Sequence, residues 1–212
     1  MGLTSPRTIV VSRYNEDITW INNFVNDNVV VYNKGPNNIK CESIPLPNIG
    51  REAQTFLYHI INSYNNLTEE TVFLQGNPFD HINNKSHSFY VNQLIPRNYD
   101  HTTLIWLGND QTEYWNINNP HNIYPCPLIG WLLLRKEDID NINALIPTLN
   151  WDYYKQIEFQ FAPGAQYSVP KTLILNKPLT WWQKCYDHFM IDPDINAYKY
   201  ERWWPNIWNH NL

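Results

Sequence analysis

The sequence predicts an α/β fold: a central mixed, mostly parallel sheet flanked by helices, built as one domain over residues 1–212. Three observations predict it. Short β-branched, apolar runs stand at residues 8–12, 29–32 and 71–75, as buried strands do. The stretches between them carry apolar residues at helical spacing. Each run stops at polar, turn-forming residues.

Thr8-Ile9-Val10-Val11-Ser12 opens the chain as a strand. Residues 17–26 follow with Ile18, Ile21 and Val25, joined by Trp20 and Phe24, which predicts a short amphipathic helix. Val29-Val30-Val31-Tyr32 is a second strand, stopped by Asn33-Lys34-Gly35-Pro36. A strand-helix-strand unit closes as a right-handed crossover between parallel strands. A loop rich in Asn and Pro covers residues 35–50. Residues 51–64 read as a helix, with Ala53, Phe56, Leu57, Ile60 and Ile61 on its apolar face. Thr71-Val72-Phe73-Leu74-Gln75 is the third strand, ended by Gly76-Asn77-Pro78. This β-α-β-α-β order is that of a nucleotide-binding half of a doubly wound sheet.

The rest of the chain is less regular. Helices are expected at residues 88–94, 136–145, 180–190 and 198–208. Strands are expected at 102–107, 156–161 and 167–169, with a long loop at 109–127 and a turn at 162–165. The apolar run 128–134 fits either a helix or a strand.

Composition narrows the function classes. Apolar residues make up 43% and charged residues 17%, so the chain can build a core. The net charge of −5 and the lack of a basic run exclude non-specific nucleic-acid binding, which needs clustered Lys and Arg. Three cysteines, Cys41, Cys126 and Cys185, stand far apart with no Cys-x-x-Cys, so no zinc site or disulfide framework is expected. A reducing compartment, the cytoplasm, fits that pattern. The longest apolar runs are far too short to span a bilayer, so no transmembrane segment is expected. Ten Trp, fourteen Tyr and eight Phe exceed what a core of this size needs. Aromatic faces stack on sugar rings and bases, but on composition alone a Trp-rich core with an aromatic carboxy-terminal clamp is the better account of them.

Ligands of open parallel sheets bind outside the carboxyl ends of the strands. Those ends read Ser12-Arg13-Tyr14-Asn15-Glu16-Asp17, Tyr32-Asn33-Lys34-Gly35 and Gln75-Gly76-Asn77-Pro78-Phe79-Asp80-His81. Loops favour such residues anyway. Three polar ends on one rim are more than a single loop would offer.

Tyr14-Asn15-Glu16 after a first buried strand resembles the start of many GT-A glycosyltransferases. Asn48-Ile49-Gly50-Arg51-Glu52-Ala53 resembles their Asn-x-Gly-x-Ala helix start. Val72-Phe73-Leu74-Gln75-Gly76-Asn77 stands where those enzymes carry a strand ending in Asp-x-Asp. The segments "YNKG", "NIGRE", "FLQG" and "PGAQ" are also similar to a group of uncharacterised fungal and viral domains. The resemblance implies a single GT-A-like domain that could belong to a longer multidomain chain. Residues 1–100 would form its nucleotide-binding half and residues 101–212 its donor-sugar and acceptor half. It implies transfer of a hexose from a UDP-sugar, UDP-glucose or a relative, to a glycan acceptor; for a viral member that is a capsid glycan.

By this resemblance Ser12, Arg13, Tyr14, Asn33 and Lys34 meet the base and ribose, and Gln75, Gly76 and Asn77 lie at the same rim. Arg51, at a helix start where backbone N–H groups also favour anions, faces the diphosphate, with Lys34 and Arg13 as further candidates for that role. Ala162-Pro163-Gly164-Ala165-Gln166 resembles the small-residue turn against which a donor sugar lies, which brings in Gly164, Ala165 and Gln166. The Asp pair is missing from Gln75-Gly76-Asn77. Mn²⁺ or Mg²⁺ wants hard oxygen ligands, so Asp80 becomes the substitute carboxylate, with Asn77 and His81 beside it. Helix capping is the structural alternative for Asp80. An inverting transfer needs a carboxylate base, and Glu201, Glu158 and Asp152 are eligible. Two other classes stay open. A sugar nucleotidyltransferase should carry a glycine-rich loop after the first strand, and residues 12–17 hold no glycine. A non-catalytic carbohydrate- or nucleotide-binding domain should line an exposed face with aromatics.

Overall fold

The structure, a computed structural model, describes residues 7–81, 94–97, 105–106, 113–116, 158–161 and 165–209. Strands β1 (Arg7–Arg13), β2 (Asn28–Asn33), β3 (Ile44–Pro45), β4 (Glu70–Gln75), β5 (Ile105–Trp106) and β8 (Tyr167–Pro170) form one sheet in the order β3-β2-β1-β4-β8-β5. β1 pairs parallel with β2 and β4, and β2 pairs parallel with β3. β8 runs antiparallel to both β4 and β5. The sheet is therefore mixed and mostly parallel, in the Rossmann-like manner. β6 (Glu113–Asn116) and β7 (Glu158–Phe161) form a second, antiparallel pair.

The four α-helices of the described residues are α1 (Arg51–Ser63), α2 (Lys171–Leu175), α3 (Leu179–Phe189) and α4 (Pro193–Asn209). α1 buries Ala53, Phe56, Leu57 and Ile60, four of its five expected apolar positions; Ile61 is half-buried. Gln54, Thr55 and His59 are buried as well, because α1 lies between the sheet on one flank and α3 and α4 on the other. Each finds a polar partner in that sandwich. Gln54 donates to the Tyr186 hydroxyl of α3 at 3.3 Å, Thr55 pairs with Ser12 of β1 at 2.9 Å, and His59 pairs with Tyr32 of β2 at 3.0 Å.

The aromatic surplus goes largely into this side of the molecule. Trp204 and Trp208, one turn apart on α4, stack with centroids 4.7 Å apart. Phe73 of β4 stacks on Trp208, and Trp182 of α3 closes on the same ring. Trp182, Trp204 and Trp208 are fully buried. The opposite face of the sheet is covered by Ile18, Phe24 and Leu94 over Ile9, Val11, Val31, Val72 and Leu74.

Some sequence expectations are corrected. The helix expected at 17–26 is a single 3-10 helix, Thr19–Asn23. Asp17 accepts the Thr19 N–H at 2.9 Å and Asn23 folds its amide back onto the Trp20 carbonyl, and local side-chain bonds of this kind compete with α-helix propagation. Val25 is left exposed. The loop expected at 109–127 holds β6. The last helix begins five residues earlier than expected, at Pro193, where the Asp192 carboxylate accepts the Ile195 N–H. The helices expected at 88–94 and 136–145 and the segment 128–134 lie, Leu94 apart, outside the described residues.

Candidate functional site

Strand register fixes where the three polar ends meet. Arg13 is level with Asn33 across β1 and β2, and Ser12 is level with Gln75 across β1 and β4. The chain passes from β1 to β2 on one side of β1 and returns through α1 to β4 on the other. The connections therefore diverge between β1 and β4, the position at which open α/β sheets take their ligands. The sequence reached this rim because strands of similar length start together and stop at Asn, Gly and Pro.

The rim is tightly built. The Arg13 guanidinium is buried and donates to five oxygens: the carbonyls of Tyr14, Glu16 and Pro36 and the side chains of Asn33 and Asn38, at 2.8–3.1 Å. It fastens the loop after β1 to the loop after β2. Asn33 is buried and also accepts the Gly35 N–H. Tyr14 stands half exposed at the rim. A cleft of 410 Å³ opens beside these residues, between Arg13, Asn15, Glu16 and Asp17 on one side and Asn38 and Lys40 on the other. The Glu16 carboxylate accepts the N–H groups of Tyr14 and Asn15 at 2.7 and 3.0 Å. A Cβ on Gly76 would sit 2.5 Å from that same carboxylate, which would have to swing aside to admit it. Trp20 donates its indole N–H to the Gly76 carbonyl, closing the β1–β4 crevice from the far face.

A second group gathers at the start of α1. Gly50 and Arg51 both adopt left-handed backbone, at φ 61° and 47°. The buried Lys34 ammonium donates to the carbonyls of Ile49, at 2.7 Å, and Arg51. Desolvation brings Lys34 down to about 8 against a smaller opposing pull from Glu52. The exposed Arg51 guanidinium lies 4.4 Å over the Tyr198 ring of α4 and donates to its hydroxyl. Burial, then the nearby charge of Glu201, raises Glu52 to about 7, against its own N–H and the charges of Arg51 and Lys34. Tyr167 of β8, buried and raised well above the usual phenol value by the same surroundings, reaches the Glu201 carbonyl at 3.5 Å.

Ser12, Arg13, Tyr14, Asn33, Lys34, Arg51, Gln75, Gly76 and Asn77 thus share the carboxyl edge of the sheet, and Glu201 joins the α1 group. Ala165 is buried at φ 46°, and Gln166, also buried, donates to the Pro78 carbonyl at 2.9 Å, which brings these two residues of the expected sugar turn to the end of β4. Asn77 accepts the Phe79 N–H and starts the 3-10 helix Pro78–His81. Asp80 and His81 belong to that helix; their side chains, that of Glu158 on β7, and all of Asp152 and Gly164 lie outside the described residues. Among the described residues no group of three or more His, Cys, Asp or Glu is placed to hold a metal, and no helix is long and apolar enough to cross a membrane. Sequence reasoning missed Glu52 as a site residue. An acidic residue in a first helical turn is the ordinary complement to the helix dipole, and nothing local announces that Glu201 will stand near it.

A family model described as "Protein of unknown function (DUF3431)" matches residues 9–211. No curated protein and no solved structure matches the chain.

Proposed function

From the premise that the chain belongs to the DUF3431 family, whose function is not known, we propose that it is a metal-dependent glycosyltransferase of the GT-A type, moving a hexose from a UDP-sugar to a glycan acceptor. One observation carries the reading. The polar ends of β1, β2 and β4 lie side by side along the edge at which the chain connections diverge, and a 410 Å³ cleft of nucleoside size opens on that edge between the loops after β1 and β2. The likeness of Tyr14-Asn15-Glu16 and of 48–53 to GT-A motifs supplies the reaction class.

In this reading the base and ribose occupy the cleft, against the loops that Arg13 holds together, with the half-exposed Tyr14 on the same rim. The diphosphate lies toward the start of α1, where Arg51 and the first-turn N–H groups favour negative charge. Gly164, Ala165 and Gln166 border the sugar, and Glu201, Glu158 and Asp152 are the carboxylates eligible to take the acceptor's proton. Asp80 with Asn77 and His81 is a sparse donor set, one carboxylate, one amide and one imidazole. It fits a Mn²⁺ or Mg²⁺ ion carried mainly by the donor's own phosphates, as Mg²⁺ often is. That ion would neutralise the charge of the departing diphosphate.

The test is a calorimetric titration of UDP with and without Mn²⁺. UDP binding that tightens about tenfold with Mn²⁺, and loses that gain in Asp80→Ala, is expected. A chain that takes no UDP under either condition is not a UDP-sugar transferase.

A further inference from the structure

Lys34 has the position of a phosphate ligand, at the end of β2 on the ligand edge of the sheet, and the bonding of something else. Its side chain is 7% exposed. Two of its three ammonium protons are taken by the carbonyls of Ile49 and Arg51. Those carbonyls flank Gly50, and the pair Gly50–Arg51 is left-handed. Left-handed backbone is ordinary for glycine and costs about 1 kcal/mol or more at a residue with a side chain such as Arg51. Such a conformation persists only where its surroundings over-determine it. A cation with two convergent carbonyls is that kind of restraint, and charge-assisted bonds of this type are the stronger ones. Gly50 is fixed from the other side by α3, since a Cβ there would meet the Phe189 ring at 2.4 Å.

We infer that Lys34 is a positioning residue: its ammonium ties the end of β2 to the strained start of α1 and so sets Arg51 on Tyr198 and Glu52 toward α4. Desolvation acts in the same direction: a buried ammonium whose protons are committed to carbonyls is poorly placed to collect a solvated diphosphate. The inference rests on the transferase reading only for its consequence. If that reading holds, Lys34 acts on donor binding through Arg51 and never touches the donor.

The first test needs no variant. In the wild-type chain, acetic anhydride labelling of the lysines should find Lys34 at least tenfold slower than the exposed Lys40, with a rate that saturating UDP does not change. Labelling as fast as Lys40, or protection by UDP, overturns the assignment. The second test is amide hydrogen exchange across residues 50–56. Lys34→Met should speed exchange there about tenfold or more while β4 keeps its protection, and Lys34→Arg should restore part of it. Unchanged exchange in a folded Lys34→Met chain also overturns the assignment. Neither readout requires UDP to bind, so failure of the transferase reading shows separately, as absent UDP binding in the wild type.

Discussion

At the scale of single residues, burial decides charge. His59 is 3% exposed on α1, and burial lowers it to about 4, far below the ordinary imidazole value. Neutral, its Nδ1 shares a hydrogen bond with the Tyr32 hydroxyl at 3.0 Å, the tautomer deciding which of the two donates. The unfolded chain takes up a proton near pH 6.5, whereas the folded chain refuses it until about pH 4. Stability is therefore full above pH 6.5 and falls as pH drops from 6.5 toward 4, by about 3 kcal/mol for this one group. His59→Gln keeps a hydrogen-bonding partner for Tyr32, as donor or acceptor, and removes the titration. Urea unfolding of both chains between pH 7 and pH 4 should show the wild type losing about 3 kcal/mol more than the variant. Parallel pH profiles would refute the buried neutral imidazole. In the sequence His59 looks like any polar residue flanking the apolar stripe of 51–64. Its ring packs against Tyr32 of β2 and Phe73 of β4, so it is the sheet beneath α1 that makes it a core residue.

At the scale of elements, legibility follows how local the cause is. The strands at 8–12, 29–32 and 71–75 and the helix at 51–64 were readable because their apolar periodicity is dictated by burial in the element itself. The 3-10 helix Thr19–Asn23 was not, because Asp17 and Asn23 turn the chain by side-chain bonds that leave the apolar spacing unchanged. The early start of α4 did carry a local signal, Asp192-Pro193, a capping residue followed by proline in the first turn. β6 carried none: its four residues pair with β7 across more than forty positions of chain. The start of α1 gives the element-scale prediction. Gly50 needs positive φ and has no room for a Cβ against Phe189. Gly50→Ala adds backbone strain of about 1 kcal/mol and an overpacking cost of about 1–3 kcal/mol. A loss of about 2–4 kcal/mol in chemical denaturation is expected, with UDP affinity falling alongside because Arg51 starts from the same turn. A variant within 0.5 kcal/mol of wild type, roughly the noise of a surface substitution, would mean that the turn relaxes freely.

At the scale of the molecule, the sheet separates what holds the fold from the edge proposed to face a ligand. The amino edge carries a buried ion cluster. Arg7 donates to both oxygens of Asp27 and to the Leu94 carbonyl, Arg97 stands 3.7 Å from Asp27 and 3.8 Å from Glu70, and Ser168 donates to Glu70 at 2.5 Å. These groups come from β1, the turn before β2, β4, β8 and residues 94–97, so the cluster ties β1, β4 and β8 to the entry of β2. No local pattern forecasts it, since each charge sits alone in its own stretch of sequence. The carboxyl edge was legible for the opposite reason: strand ends announce themselves by composition, and parallel pairing then brings them side by side. A strand of seven residues spans about 20 Å, which sets the distance between the two edges. Arg7→Met should therefore act on stability alone. It leaves Asp27 buried without its main partner, a loss of about 3–5 kcal/mol where one member of a buried ion pair is removed. Measured at a temperature and denaturant concentration where both chains remain folded, UDP affinity should be the same in the variant and the wild type. A drop in affinity of tenfold or more in folded Arg7→Met would mean that the two edges are coupled through β1, and that the ligand rim depends on the whole sheet and not only on the loops at its end.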